Sequence, residues 1–455
     1  MAITPTDAVL IAMMKHTPWP IAILIASFLC PTELSLYLGG LRLPPHRVAL
    51  IILLPIALYR LMTRRDIRIR SFDYAVLAYN IATVVVFNIH GIQFIGPDLI
   101  SSNGLVFGGS LALESTGGYL VARCWIRSID QFRGAVRLLL ASVLTAGLIA
   151  LPDTLLGQHF THDLLQSLTG YVHPRLAEER LGLTRAYGTF DHPILLGTFC
   201  ASVLALSWFN VRPGMARWGR SAAILAATFT AVSSAPLLIL AVQGVLLGWD
   251  YLTRGIAKRA TITVAILGVL YLCASLVMTR TPIAFIATGM TLDSWTGYYR
   301  LVIWENGLEN VWANPWIGLG MADWERPAWM ASASVDAFWL LIAMRAGIPT
   351  FLLLILSITL ITRAVIVRAC KHKERTVRQF ALAWIVSLIA LSLSACTVHY
   401  WNALYAYFFF FVGLAGCLAD PIRVKSKVAA KTTVENRPEW SFDDRQYPAH
   451  AYPNR

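Results

Sequence analysis

The chain has 455 residues, of which 57% are hydrophobic and only 14% charged, against about 25% charged in an ordinary soluble domain. Its apolar residues come in runs of about 17–22, the length that crosses ~30 Å of hydrocarbon, which excludes a large soluble α protein. The net charge of +13 sits in short loops between those runs, where the positive-inside bias of membrane proteins puts it. No stretch mixes basic and aromatic residues in the pattern of a nucleic-acid binder. The seven cysteines are odd in number, lack CxxC spacing and fall in or beside apolar runs. They read as small packing residues, with neither a disulfide framework nor a metal site.

In chain order, the first apolar run extends from Trp19 to Tyr37. It contains Glu33 and has no small-x-small cleavage site, so it reads as a retained first span. Further spans are predicted at 47–62, 72–90, 104–122 and 134–151. Arg64, Arg65, Arg68 and Arg70 mark one cytoplasmic loop, and Arg123, Arg127, Arg133 and Arg137 the next. A polar external segment, 152–187, leads to a span at 189–209, and Arg212, Arg217 and Arg220 return the chain to the cytoplasm. The stretch 221–250 is apolar throughout and basic at both flanks, which requires an even number of crossings. It reads as two short helices turning at Ser233, Ser234, Ala235 and Pro236, where proline breaks the helix.

A span at 260–278 precedes a second large external segment, 279–334. Within it, 297–312 reads as an amphipathic helix with Leu301, Trp304, Leu308 and Val311 on one face, ended by Asn314 and Pro315. The helical region 335–367 is too long for a perpendicular span, and Gly347 and Pro349 divide it into an interfacial helix and a true span. The last spans, 380–398 and 402–419, are joined by a tight turn at 399–402. The prediction is therefore an all-α polytopic integral membrane protein with about twelve transmembrane helices. Residues 1–420 form the membrane domain, and a cytoplasmic, mostly disordered tail spans 421–455. Both termini are expected in the cytoplasm.

The two external segments are longer than a connection between spans requires, which points to function. The first ends with Arg180, Arg185, Tyr187, Asp191 and His192; the second carries Tyr299, Arg300, Asp323, Arg326 and six tryptophans. The tryptophans suit an interfacial belt. The arginines suit phosphate or diphosphate, because a planar guanidinium makes bidentate, charge-assisted contacts and keeps its proton. Glu33 and Glu114 lie within apolar runs, where carboxylates are costly and usually paired or functional. Glu33 is expected to reach water at its span end, Glu114 to pair with an arginine or line a site, and Asp73 to be solvated.

Three stretches together resemble the O-antigen ligase/polymerase superfamily of bacterial polysaccharide assembly. They are RAYGTFDHPI from Arg185; YRLVIW from Tyr299 followed by NPWIGLG from Asn314; and SVDAFWLLIAMRAG from Ser334 to Gly347. A weaker fourth runs from Glu114 to Arg123. Ligases of the superfamily usually carry a histidine where this chain has Asp336, so it looks more like the exopolysaccharide polymerase branch.

The resemblance implies a metal-independent glycosyltransferase of the bacterial inner membrane that takes glycan from a polyprenyl-diphosphate-linked oligosaccharide at the periplasmic face. It implies no cofactor, and as partners membrane lipid and chain-length-regulator and export proteins. An O-antigen ligase or a polysaccharide or lipid transporter are the alternatives. A transporter would place ionisable residues at mid-membrane on broken helices. The residues expected to carry the chemistry are Asp336, Arg300 and Arg185. Arg180, Glu114, Tyr299, His192 and Arg326 are expected to contact substrate.

Overall fold

The computed structural model describes residues 17–38, 41–95, 100–171, 178–256, 294–330 and 332–420, with isolated positions between 258 and 269. It is mostly helical. Among the described residues, six helices are long and apolar enough to cross a membrane. They are α2 (Pro45–Thr63), α3 (Ser71–His90), α5 (Ile129–Leu156), α10 (Ser234–Leu252), α12 (Phe338–Lys371) and α13 (Arg375–Ser394). Between them lie α4 (Gly104–Trp125), α9 (Met215–Phe229) and shorter apolar helices: α1 (Trp19–Phe28), α7 (Pro193–Ala201), α8 (Leu204–Phe209), α14 (Ala403–Leu414) and α15 (Gly416–Ala419). Two further helices, α6 (Phe160–Thr169) and α11 (Ser294–Ala313), belong to the segments expected outside the membrane. Three short antiparallel hairpins complete the described elements: β1–β2 (Leu36–Leu38, Leu41–Leu43), β3–β4 (Ile92–Ile95, Ile100–Asn103) and β5–β6 (Glu179–Arg180, Leu183–Thr184). The run expected to span at 260–278 and the tail from 421 lie outside the described residues.

The expected spans 47–62, 72–90 and 104–122 correspond to α2, α3 and α4, each with an identifiable start. Proline occupies the N-cap and first position of α2, where its missing N–H costs nothing. The Asp73 side chain takes the backbone N–H of Arg70 at the start of α3, at 2.8 Å. Asn103 caps α4 through Leu105 and Val106. Helix α4 packs along α14 at short range. A Cβ at Gly118 would lie 2.4 Å from the Ala406 carbonyl, and one at Gly413 2.4 Å from the Tyr119 carbonyl. Small residues let helices approach this closely.

At the end of this bundle Arg123 is fully buried. It bonds Asp73 at 3.0 Å, Asp420 at 2.7 Å and the Arg68 carbonyl at 2.8 Å. Arg127 and Arg70 also reach Asp420, each at 3.1 Å, and the Tyr119 hydroxyl donates to Asp73. Asp73 is therefore an ion-pair partner rather than the solvated residue expected from its place at a helix end.

Other expectations need correction. The first apolar run is helical only to Phe28; Pro31 follows, then a 3₁₀ turn at Thr32–Leu34 and the strand β1, paired with β2. Glu33 does not reach water but is buried against His162 of α6, 2.5 Å away. The span expected at 189–209 breaks between α7 and α8. There Gln243 of α10 accepts the Ala205 N–H at 3.0 Å and donates to the Ala201 carbonyl at 2.7 Å. The turn within 221–250 falls at 230–233, three residues before the expected centre, and Pro236 sits in the first turn of α10, where the helix tolerates it.

Gly347 and Pro349 do divide the long helix. Gly347 has φ 80° and ψ 164°, and 338–346 and 348–371 are the helical pieces on either side. The NPWIGLG segment docks on this break. Leu319 and Gly320 donate to the Met344 and Arg345 carbonyls at 2.9 Å each, and Ile348 donates to the Pro315 carbonyl at 2.8 Å. A Cβ at Gly347 would stand 2.3 Å from the Trp316 carbonyl. Gly347→Ala thus combines a clash with a left-handed φ that alone costs on the order of 1–3 kcal/mol. It is expected to lower the detergent-solubilised melting temperature by several degrees. Gly244→Ala, where the added Cβ meets open space, is expected to be neutral or stabilising by up to about 1 kcal/mol. Equal melting temperatures for the two variants would contradict this account of the break.

Candidate functional site

Arg180 and Arg185 flank the β5–β6 hairpin. Its two-residue loop, Leu181 and Gly182, has positive φ at both positions, the geometry that matches strand twist. The loop that follows is pinned from three sides. Arg185 donates its backbone N–H to Glu178, Ala186 donates to Thr230, and the Asp153 carboxylate takes the N–H groups of Tyr187 and Gly188 at 3.2 and 2.9 Å. The Arg185 guanidinium, 3% exposed, is turned inward. Its Nη1 meets the Glu178 carboxylate and its Nε the Ala231 carbonyl in the α9–α10 turn. Its Nη2 is buried with no hydrogen-bond partner among the described residues.

Arg300 comes from α11, which is the amphipathic helix expected at 297–312, rotated from the expected face. The buried positions are Arg300, Val302, Ile303, Gly307, Asn310 and Val311, while Leu308 is exposed. A Cβ at Gly307 would lie 2.6 Å from Leu340, so α12 packs directly against this stripe. The Arg300 Nε is likewise buried and unpartnered among the described residues. Burial holds the Arg300 guanidinium below its ordinary range, the Asp336 carboxylate opposes that shift, and the charges of Arg180 and Arg185 add to it. Three arginines and one carboxylate expected from sequence thus act on one another in space. Burial also lowers Arg185, with Arg180 reinforcing and Glu178 opposing. Tyr299 is raised by burial and then by Asp336.

Asp336 precedes α12 without capping it. The N-cap is Ala337, with no side-chain cap, and the Phe338 N–H goes to the Val398 carbonyl at 3.1 Å. Asp336 Oδ1 instead accepts the Ser334 hydroxyl at 2.9 Å. A helix-capping explanation for this carboxylate is therefore removed. Asp336 lines a cavity of about 240 Å³ together with His192, His399 and Trp401. His192 caps α7, accepting the Ile194 N–H at 3.1 Å. Ser334, His399 and Trp401 also belong to the wall of a larger cavity, about 380 Å³. Its apolar walls include Phe87, Phe107, Leu111 and Phe338. Glu114 lines this cavity and is buried against Arg47 at 2.7 Å and His46 at 3.0 Å, so it is both paired and part of the lining.

The structure does not bring Arg326 into the arginine group in the same way. It bonds Asp323 at 2.5 Å and the Met330 carbonyl at 3.0 Å, closing its own loop. Two residues were not singled out in the sequence. His399, read there as part of a tight turn, lines both cavities, and burial and the Arg345 charge hold its imidazole below the ordinary range and hence neutral. Arg345 lines the large cavity and donates to the Gly320 and Ala322 carbonyls. A charge two residues before Gly347 in an apolar run was the available signal for it. Among the described residues no group of three histidine, cysteine, aspartate or glutamate side chains is arranged to hold a metal ion.

The fold and composition define a helical membrane protein with buried arginines in its long segments and an apolar cavity. No family model and no curated protein matches the chain.

A buried, incompletely bonded guanidinium weakens the empty protein. Replacing buried charges by well-packed apolar residues is neutral or stabilising by about 1–4 kcal/mol. Arg300→Met is therefore expected to raise the melting temperature of the anion-free protein by a few degrees and to abolish stabilisation by added pyrophosphate. A lower melting temperature for the variant would mean that Arg300 is structurally satisfied.

Proposed function

We propose that this protein is a glycosyltransferase of an inner bacterial membrane that polymerises lipid-linked repeat units. It transfers glycan from polyprenyl diphosphate to an acceptor sugar hydroxyl at the external face. The observation that carries this reading is the pair of buried guanidiniums, Arg185 and Arg300, each with a donor unpartnered among the described residues and each within electrostatic reach of Arg180. An anion with several oxygens satisfies such donors, and a diphosphate is that anion. The apolar cavity whose wall includes Ser334, two residues from Asp336, suits the first isoprenoid units of the lipid.

In the reaction the acceptor hydroxyl attacks the anomeric carbon of the donor sugar. The bond from that carbon to the diphosphate oxygen breaks, and the diphosphate leaves with the electron pair. Arg185 and Arg300 stabilise the charge that develops on the leaving oxygen. Asp336, free of a capping role, takes the proton of the attacking hydroxyl. His399, neutral and in the same small cavity, supports a second reading, transfer to a different acceptor as in the ligases. There a histidine stands in the place of Asp336, and here His399 and His192 stand beside it.

Purified protein incubated with lipid-linked repeat units is expected to yield a ladder of lengthening products. Arg185→Lys and Arg300→Lys should each lower turnover by 100-fold or more, on the order expected for loss of a transition-state donor, since a point charge does not reproduce a planar fork. Asp336→Asn should keep folding and donor binding and lose most turnover. A normal ladder from Asp336→Asn would eliminate the base role, and full activity of both lysine variants would reduce the site to diffuse charge.

Reporter fusions address the membrane side. Those after residues 70, 130, 215, 375 and 430 should read as cytoplasmic, and those within 155–170 and 300–330 as external. A cytoplasmic signal from either long segment would sink the proposed site along with the topology.

A further inference from the structure

Helices α3 and α12 run along each other in opposite directions. His90, at the end of α3, bonds the Ile317 carbonyl in the segment docked on the α12 break, at 3.0 Å. The start of α3 therefore lies toward the far end of α12, away from Asp336. At that end a further cavity, of about 610 Å³, opens between the first turn of α3 and the last turns of α12. Its lining mixes two chemistries. Arg363, Arg368 and Lys371 of α12 and Arg70 of the α3 start supply the charge, and Leu360, Ala364 and Val367, interleaved with those α12 residues, supply apolar surface together with Phe72.

Among the described residues this charge is not fully matched by ion pairs. The nearby carboxylates are already committed: Asp420 takes Arg70, Arg123 and Arg127, and Asp73 takes Arg123. Arg363, Arg368 and Lys371 have no ion pair among the described residues, and Arg368 Nη1 is buried without a hydrogen-bond partner there. The cluster thus differs from the Arg123 network beside it, whose guanidinium is fully bonded.

We propose that this cavity is a binding site for a phosphate group, and that the apolar surface in its lining makes the ligand amphipathic: the headgroup and upper chain of an anionic phospholipid. Basic pockets between membrane helices recognise headgroups in this way. A soluble phosphate shares the chemistry but makes no use of Phe72, Leu360 and Val367. The site is independent of the proposed transferase activity and lies at the other end of α12 from it.

The test uses the full-length protein in mild detergent and native mass spectrometry, with phosphatidylglycerol, phosphatidylcholine or inorganic phosphate as probe. Wild type is expected to retain phosphatidylglycerol at least about fivefold over phosphatidylcholine, the factor that roughly 1 kcal/mol per basic residue gives. The triple variant Arg363→Gln, Arg368→Gln, Lys371→Gln should lose that preference. An equal change of charge at Arg65, Arg212 and Arg220 should keep it, which separates the cavity from diffuse attraction. Arg368→Gln alone is measured beside the triple variant, so that misfolding of the latter leaves a readout. Retention of inorganic phosphate as strong as that of the lipid would keep the phosphate site and assign it to a soluble ligand. Undiminished lipid preference in Arg368→Gln and the triple variant, or none in wild type, would overturn the proposal.

Discussion

Within an apolar bundle, every backbone group released by a helix break has to find a partner inside the protein, because lipid offers none. This chain breaks its helices at 202–203, at 230–233 and at Gly347, and each break is repaired differently. A glutamine side chain, Gln243, bridges the first. The second offers its Thr230 carbonyl to Ala186 and Thr154 and its Ala231 carbonyl to Arg185. The third takes the glycine-bearing segment 315–320 as a backbone partner. Two of these repairs build the candidate site. The repair at 230–233 turns Arg185 inward, and the one at Gly347 fastens the loop after α11 to α12, the helix against which the Arg300 stripe packs.

Burial alone does not separate structural from functional arginines here; bonding does. Arg123 is more deeply buried than Arg185 or Arg300, yet all three of its nitrogens reach an acceptor. That arrangement offsets desolvation and holds the ends of α3, α4 and α15 together. Arg185 and Arg300 each keep a donor without an acceptor among the described residues, which costs about 1–3 kcal/mol or more per group. A cost of that kind persists where a ligand or a transition state removes it, and stability given up at a site is a common counterpart of activity.

Length, apolarity and flanking charge made α2, α3, α4 and α13 legible in the sequence, and the special backbone demands of glycine and proline marked the division at 347–349. The end of α11 was legible for the same local reason, at Asn314 and Pro315, whereas the helix already runs at Ser294, before the expected 297. Its buried face was not legible, because the intrinsic period is satisfied by several faces and only contact with Leu340 selects the one carrying Arg300. Likewise, the partners of Glu33 and Arg123 lie far away in the chain, at His162 and Asp420, so their pairing is a tertiary fact. The candidate arginines were legible as external charges in excess of what loops need; the approach of Arg180, Arg185 and Asp336 to Arg300 was not. His399 was hidden because a turn between two apolar runs gives no local cue that its side chain enters a cavity.

The geometry of α12 connects these points. Its second piece, 348–371, is about 36 Å long at roughly 1.5 Å per residue, enough to cross ~30 Å of hydrocarbon. The first piece, 338–346, is far too short to do so. The break at Gly347 therefore falls where a span would emerge, and it lets the chain redirect so that Asp336 and Ser334 meet the turn at 398–401 instead of continuing outward. A straight helix through this region would continue Asp336 along the axis of 348–371 instead of turning it toward the 398–401 turn. Glycine at 347 is thus required twice, once by its own φ and once by the Trp316 carbonyl pressed against it. The position of the candidate base depends on a residue that has no side chain with which to take part in the chemistry.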